Sequence, residues 1–355
     1  MNRLYRVSYK TRVFEREFTD EKQTGASVYF NKTAVTATGI TPVKCYKANG
    51  EVYFYCSDKS VKKIVNGAFT STGFIGDVLP LVVPVVKNGV KTVMFVSDVT
   101  AKIGEETVSG VPYGTSCAFC AGRLFIADGK KIKFSEEFDF TDFNTGLAFG
   151  GFVQVGENDG DVLFLGETGG KLYAVCEHAA YVLSPYGEEY EFTMEKIPSF
   201  ELNVAANSVF QVGDRICFLS GKELCVLMGG KIKRAGKTLS TVAITANGIA
   251  GGGNGLYLLP VSSGSNGYVY VYDTLTDKES LNPAGGFTVA GLYAVKSGDD
   301  YLYQITAEIS AATIGESYSD EYDFGSCARK SVCRVETHIR GNADLVASAV
   351  VFWDR

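Results

Sequence analysis

Histidine and tryptophan are almost missing from this sequence: two of the first and one of the second in 355 residues, with only four methionines. With so few imidazoles, general-base chemistry near neutral pH has little to work with. No apolar run reaches membrane-spanning length, and the longest, Val78 to Val86, is broken by Pro80 and Pro84. The opening residues, MNRLYRVSYKTRVFERE, lack an apolar core of signal-peptide length, so the expectation is a chain that is not exported. A basic excess is also lacking. The net charge of −6 gives no overall attraction to nucleic acid or anionic lipid. Nine cysteines are scattered through strand-like segments, an odd number that reads best as small buried hydrophobes kept reduced.

What the sequence does contain is material for sheets. A hydrophobic content of 46% against 21% charged residues is enough for a core and excludes general disorder. Forty glycines, 23 phenylalanines and 20 tyrosines favour strands and turns over helices.

One stretch, AGRLFIADGKKIKFSEEFDFTDF at 121–143, shows how that material is arranged. Leu124 and Ile126 alternate with Phe125, Asp128-Gly129 turns the chain, and Ile132 and Phe134 alternate with Lys131 and Lys133. Period two on both sides of a glycine turn predicts a hairpin. The same shape starts at Gly50, Gly89, Gly122, Gly170, Gly213, Gly255 and Gly291, at intervals of 39, 33, 48, 43, 42 and 36. A weak repeat near 40 residues, each with a strong hairpin, is the trace of a four-stranded propeller blade. A single blade cannot bury both faces, so copies must stack around an axis. The expected fold is therefore all-β: a β-propeller of six or seven blades, against the competing pattern of hairpins in two sandwiches. Residues 1–315 are assigned to the propeller, with N-terminal strands used in ring closure. Residues 316–355 are assigned to C-terminal strands, either a closing blade or a small appendage.

Candidate chemistry is thin. GGKIKRAGKTLS resembles a phosphate loop, but that motif sets its second glycine five positions after its first, and Gly230 lies six before Gly236. Thr238 to Thr245 is strand-like, so Lys231, Lys233, Arg234 and Lys237 read as a solvated strand edge or turn. Cys117 and Cys120 form a lone CxxC, and the nearest other cysteine pair, Cys327 and Cys333, has the wrong spacing for zinc. Cys176 and His178 share a strand face, yet no orienting group accompanies them. Glu105-Glu106, Glu136-Glu137, Glu188-Glu189 and Asp299-Asp300 are adjacent carboxylates that point to opposite faces of a strand. A glycosidase would need carboxylates converging from different blades. No catalytic, cofactor-binding or metal residue is assigned, and no cofactor is expected.

The stretch from Gly122 to Phe143, with its Gly-Arg-Leu-Phe strand, Asp-Gly turn, Phe-Ser ending and Thr-Asp-Phe tail, resembles a segment of phage tail-nozzle and head-completion (DNA-stabilisation) proteins. Gly39-Ile40-Thr41-Pro42-Val43 before the first hairpin, and Tyr322-Asp323-Phe324-Gly325 near the C-terminus, are similar to the same family. The resemblance covers about a third of the chain. It implies a non-enzymatic phage or prophage structural protein, a tail or head-tail component acting as a docking scaffold. Its partners would be other virion proteins (portal, adaptor or tail components) or itself as a ring, with no direct binding of duplex DNA and no membrane. It would reside in the bacterial cytoplasm during assembly and then in the virion. The alternative is a carbohydrate-active propeller enzyme or sugar-binding module.

Overall fold

The computed structural model describes residues 3–9, 12–18, 27–87, 89–143, 151–186, 191–236, 245–246, 248–308 and 334–338. Among these there is no α-helix. Two compact units are present, one of 30–306 and one of 1–29 with 307–355. In the smaller unit, Arg3–Tyr9 pairs antiparallel with Arg12–Phe18 on one side and with Arg334–His338 on the other. Cys327, Cys333, Tyr322 to Gly325 and Trp353 lie outside the described residues.

The larger unit is a seven-bladed β-propeller. Blade 1 runs Pro42–Ala48, Glu51–Cys56, Ser60–Val65, Ala68–Ile75; blade 2 runs Leu81–Lys87, Val90–Val96, Ala101–Ile103, Glu106–Val108. Blade 3 is Ser116–Cys120, Arg123–Asp128, Lys131–Phe134, Phe152–Gln154, and blade 4 is Val162–Thr168, Lys171–Cys176, Ala180–Ser184, Thr193–Lys196. Blade 5 is Phe210–Val212, Arg215–Ser220, Glu223–Met228, Lys231–Gly236. In blade 6 a broken first strand, Thr245–Ala246 and Gly251–Gly253, precedes Leu256–Ser263, Asn266–Asp273 and Lys278–Pro283. Blade 7 takes three strands from the far end of the unit, Phe287–Ala290, Tyr293–Lys296 and Tyr301–Glu308, and its fourth, Ser27–Thr36, from before blade 1. Asn31 Nδ2 bonds Thr306 Oγ1 at 2.6 Å and Thr33 Oγ1 bonds the Leu302 carbonyl at 2.7 Å across that joint. First strands of blades 1 to 4 touch in succession, as do those of blades 5 and 6, Gln211 bonds the Glu167 carbonyl between blades 4 and 5, and the first strand of blade 7 meets that of blade 1, so they form the inner wall.

The seven repeated glycines all fall in the turn between first and second strands, with φ between 62° and 81°. In four of these turns the preceding residue, Asn49, Ala121, Gly169 or Asn254, also has positive φ. Two successive left-handed residues make a turn whose twist matches that of a hairpin, and glycine adopts it without a Cβ clash. The uneven intervals come from the third-to-fourth connection, a two-residue turn at Gly104-Glu105 in blade 2 but 135–151 in blade 3.

Second strands are buried on both faces. In blade 3, Leu124 and Ile126 pack into a cluster with Leu81, Val83 and Met94 of blade 2, while Phe125 joins Leu165, Leu172 and Ala174 of blade 4. That is why the run reads as continuously apolar rather than alternating with polar residues. Each such fully buried side chain stabilises by about 1.5–3 kcal/mol relative to exposure.

Candidate functional site

Because the strands of each blade are antiparallel, the first and third turns of every blade emerge at one end of the propeller and the second turns at the other. At the first-turn end the third turn folds back onto the first. The Phe138 amide donates to the Gly122 carbonyl at 2.7 Å in blade 3, and the Thr274 amide to the Gly255 carbonyl at 2.8 Å in blade 6. In blade 4 the Tyr186 hydroxyl donates to the Gly170 carbonyl at 2.6 Å. Each contact places a large side chain over a turn glycine and leaves it in solvent: Phe138 is 77% exposed, and Tyr186 and Leu275 are also exposed. Val65 of blade 1, Val90 of blade 2 and Met228 of blade 5 stand exposed at the same end. Six consecutive blades thus each present an apolar side chain there. At the second-turn end the exposed large hydrophobics among the described residues are Ile75 and Val99.

The motif around Phe138 is a self-supporting cap. Arg123 is buried, its Nη1 donating to the Ser135 carbonyl at 2.9 Å, with the guanidinium 5.8 Å from the rings of both Phe134 and Phe192. Ser135 Oγ accepts from the Leu124 amide at 3.0 Å. Asp139 closes an Asx turn by accepting from the Thr141 amide at 3.1 Å, and Phe140 packs edge-on against Phe119. Glu137 and Asp139 flank Phe138, both exposed.

Lys231, Lys233 and Arg234 lie on the outermost strand of blade 5, where Lys233 pairs with Asp277 at 3.2 Å and Arg234 with Glu223 at 2.7 Å. Lys237, Glu188 and Glu189 lie outside the described residues. Cys120 is buried and bonds the Gly170 carbonyl. Cys176 ends a strand and His178 sits in the following turn, its Nδ1 3.3 Å from the Leu202 carbonyl. Burial pushes the Cys176 thiol up to about 12, opposite to what a nucleophile needs. Of the adjacent acidic pairs, Glu106 pairs with Lys87 and Asp299 accepts from Tyr303.

An open cleft of about 510 Å³ between blades 1 and 2 is lined by Asn49, Glu51, Tyr53, Lys63 and Lys91. Most of its polar groups are matched: Tyr53 and Lys63 both bond Glu51, and Asn49 bonds the Thr92 carbonyl. The inner wall of blade 1 differs. There Lys44 and Tyr46 stand two residues apart on Pro42–Ala48, the ammonium 5.0 Å from the ring centroid, and the Tyr46 hydroxyl is buried without a hydrogen-bond partner. Nothing in the alternating pattern KCYKA marked these two among many strand lysines and tyrosines.

No family model and no curated protein matches the chain. Among solved structures it is similar to the extracellular domain of a hybrid two-component system from B. thetaiotaomicron, at 11% identity and TM-score 0.48. That match covers 79% of this chain and 40% of the other. It is also similar to BamB from Moraxella catarrhalis at 11% identity and TM-score 0.44, over 81% of this chain and 92% of that one. AztD from Citrobacter koseri is similar at 11% identity and TM-score 0.41, over 86% and 98%. None of these carries an activity over to this chain, which spans well under half of the first of them.

Proposed function

We propose that the propeller is a non-enzymatic docking scaffold whose first-turn end binds a protein partner, in the role of a phage or prophage structural or assembly protein. The observation that carries this reading is the ring of apolar side chains contributed by six successive blades at one end. Exposed apolar groups concentrated on one surface, with polar neighbours, mark contact sites more often than scattered single residues do. The carboxylates beside Phe138 call for a partner whose apolar contact is flanked by basic residues. The sequence resemblance supplies the context: portal, adaptor or tail components, or further copies of this chain in a ring.

The test is a pull-down from a lysate of the induced prophage, with sedimentation of the purified chain alongside it. A virion protein retained by wild type and lost with Phe138→Asp is the expected result. A chain that stays monomeric and retains no virion protein would remove the proposal. Turnover of a polysaccharide in a glycan-hydrolysis screen would replace it with the carbohydrate-active alternative.

A further inference from the structure

Two groups on the inner wall of blade 1 carry hydrogen-bonding capacity that the fold does not use. Lys44 makes no ion pair or hydrogen bond among the described residues; its nearest specific neighbour is the ring of Tyr46, at 5.0 Å. The Tyr46 hydroxyl is buried and unpaired, whereas the surrounding hydroxyls are spent. Tyr55 donates to the Gly76 carbonyl at 2.9 Å and Tyr113 to the Leu79 carbonyl at 3.1 Å. Cys117, on the inner strand of blade 3, is near enough to couple to both Lys44 and Tyr46. Burial pushes its thiol up to about 12, so it stays neutral and offers no countercharge. Lys44 nonetheless keeps some contact with water, as a side chain lining an internal channel does.

A half-buried ammonium without a carboxylate and a buried phenol without an acceptor are each unfavourable, and a ligand that meets both would relieve them together. Burial lowers the Lys44 pKa, because desolvation disfavours its charged form. We propose that Lys44 and Tyr46 form a binding site for a small monocarboxylate on the axial wall of the propeller. One ammonium and one hydroxyl match the single charge and two oxygens of a carboxylate. A phosphate would bring a second charge and a third oxygen with no group to meet them. The Tyr46 ring and the neutral Cys117 thiol border the site on its apolar side. This site is separate from the docking end, and either can fail without the other.

The experiment titrates the full chain with acetate and butyrate, and with chloride and inorganic phosphate at matched ionic strength. The readouts are the ε-carbon resonance of Lys44, assigned by its loss in Lys44→Met, and thermal unfolding. A saturable shift of that resonance and a rise in Tm with carboxylate, absent with chloride, are expected. Lys44→Met abolishes the rise in Tm. Tyr46→Phe, which keeps the ring, weakens carboxylate binding about tenfold yet leaves the unliganded protein at least as stable, because the orphaned hydroxyl is gone. Three results overturn the site: no saturable response to either carboxylate, a rise in Tm that survives in Lys44→Met, or phosphate saturating at lower concentration than both carboxylates. If Lys44→Met fails to fold, Tyr46→Phe decides alone, since unchanged affinity in that variant refutes the assignment.

Discussion

Arg123 Nη1 donates a 2.9 Å hydrogen bond to the carbonyl of Ser135, 12 residues further along, and both residues are buried. The guanidinium holds the end of the third strand of blade 3 against the start of the second, beneath the loop that carries Phe138. Its removal strands a buried carbonyl and two ring faces. Arg123→Met is expected to cost about 2–4 kcal/mol, read as a lower midpoint in urea unfolding. A change below about half a kcal/mol would show that the cap does not depend on this contact.

Ala121 has φ of 47° in the same blade, where the other turn residues of that position with positive φ are Asn49, Gly169 and Asn254. A Cβ in that region is strained by roughly 1–2 kcal/mol. Ala121→Gly should therefore raise stability by up to about 1 kcal/mol, part of the gain being offset by the freer unfolded chain. Gly122→Ala should do the reverse, since its Cβ would also press on the Phe138 ring at 3.1 Å.

Asp159 accepts hydrogen bonds from Lys196, at 2.6 Å, and from the Tyr181 hydroxyl, and is itself buried. The Lys196 bond, with that of Tyr181, holds its carboxyl below the usual value of 3.8. A depressed folded-state pKa means stability that is fully present above 3.8 and is lost as pH falls through the folded value. Asp159→Asn should thus cost about 1–3 kcal/mol at pH 7, and its deficit relative to wild type should narrow below pH 3.8. Urea titrations at pH 7 and near pH 3 measure the difference; a deficit that does not narrow would refute the assignment.

Phe138 combines exposure with a φ of 61°. Phe138→Asn suits that backbone better and should leave the fold as stable as wild type or slightly more so. If the first-turn end docks a partner, the same change should weaken association by at least about tenfold, as losing an aromatic anchor does. Stability and binding would then move in opposite directions, which simple damage to the fold cannot produce.

The propeller was legible in the sequence because a left-handed turn demands glycine. Gly50, Gly89, Gly122, Gly170, Gly213, Gly255 and Gly291 therefore recur even though almost nothing else does. The fourth strand of blade 7 was harder to place, since Ser27–Thr36 lies a whole ring away in sequence from the strand it completes. The apolar ring was hidden for a different reason. Phe138, Tyr186 and Leu275 sit in loops of unlike length, and only the fold brings them to equivalent positions. Lys44 and Tyr46 could not be singled out at all. Alternation gives their shared face, but the missing acceptor depends on what Leu79, Tyr113 and Cys117 do from other blades.

The bond between Asn31 and Thr306 joins residues 275 apart in the chain. During synthesis at about 5–20 residues per second, the early strand waits on the order of tens of seconds for its partner to be made. Throughout that time the nascent chain displays a strand bridged only at Thr36 to Ala68, the kind of edge that templates association between chains. Production in cells should therefore depend on chaperone supply and temperature more steeply than the stability of the finished ring would suggest. A circular permutant that begins at the connection between blades 1 and 2, with the original ends linked, would relocate that wait to a different pair of blades.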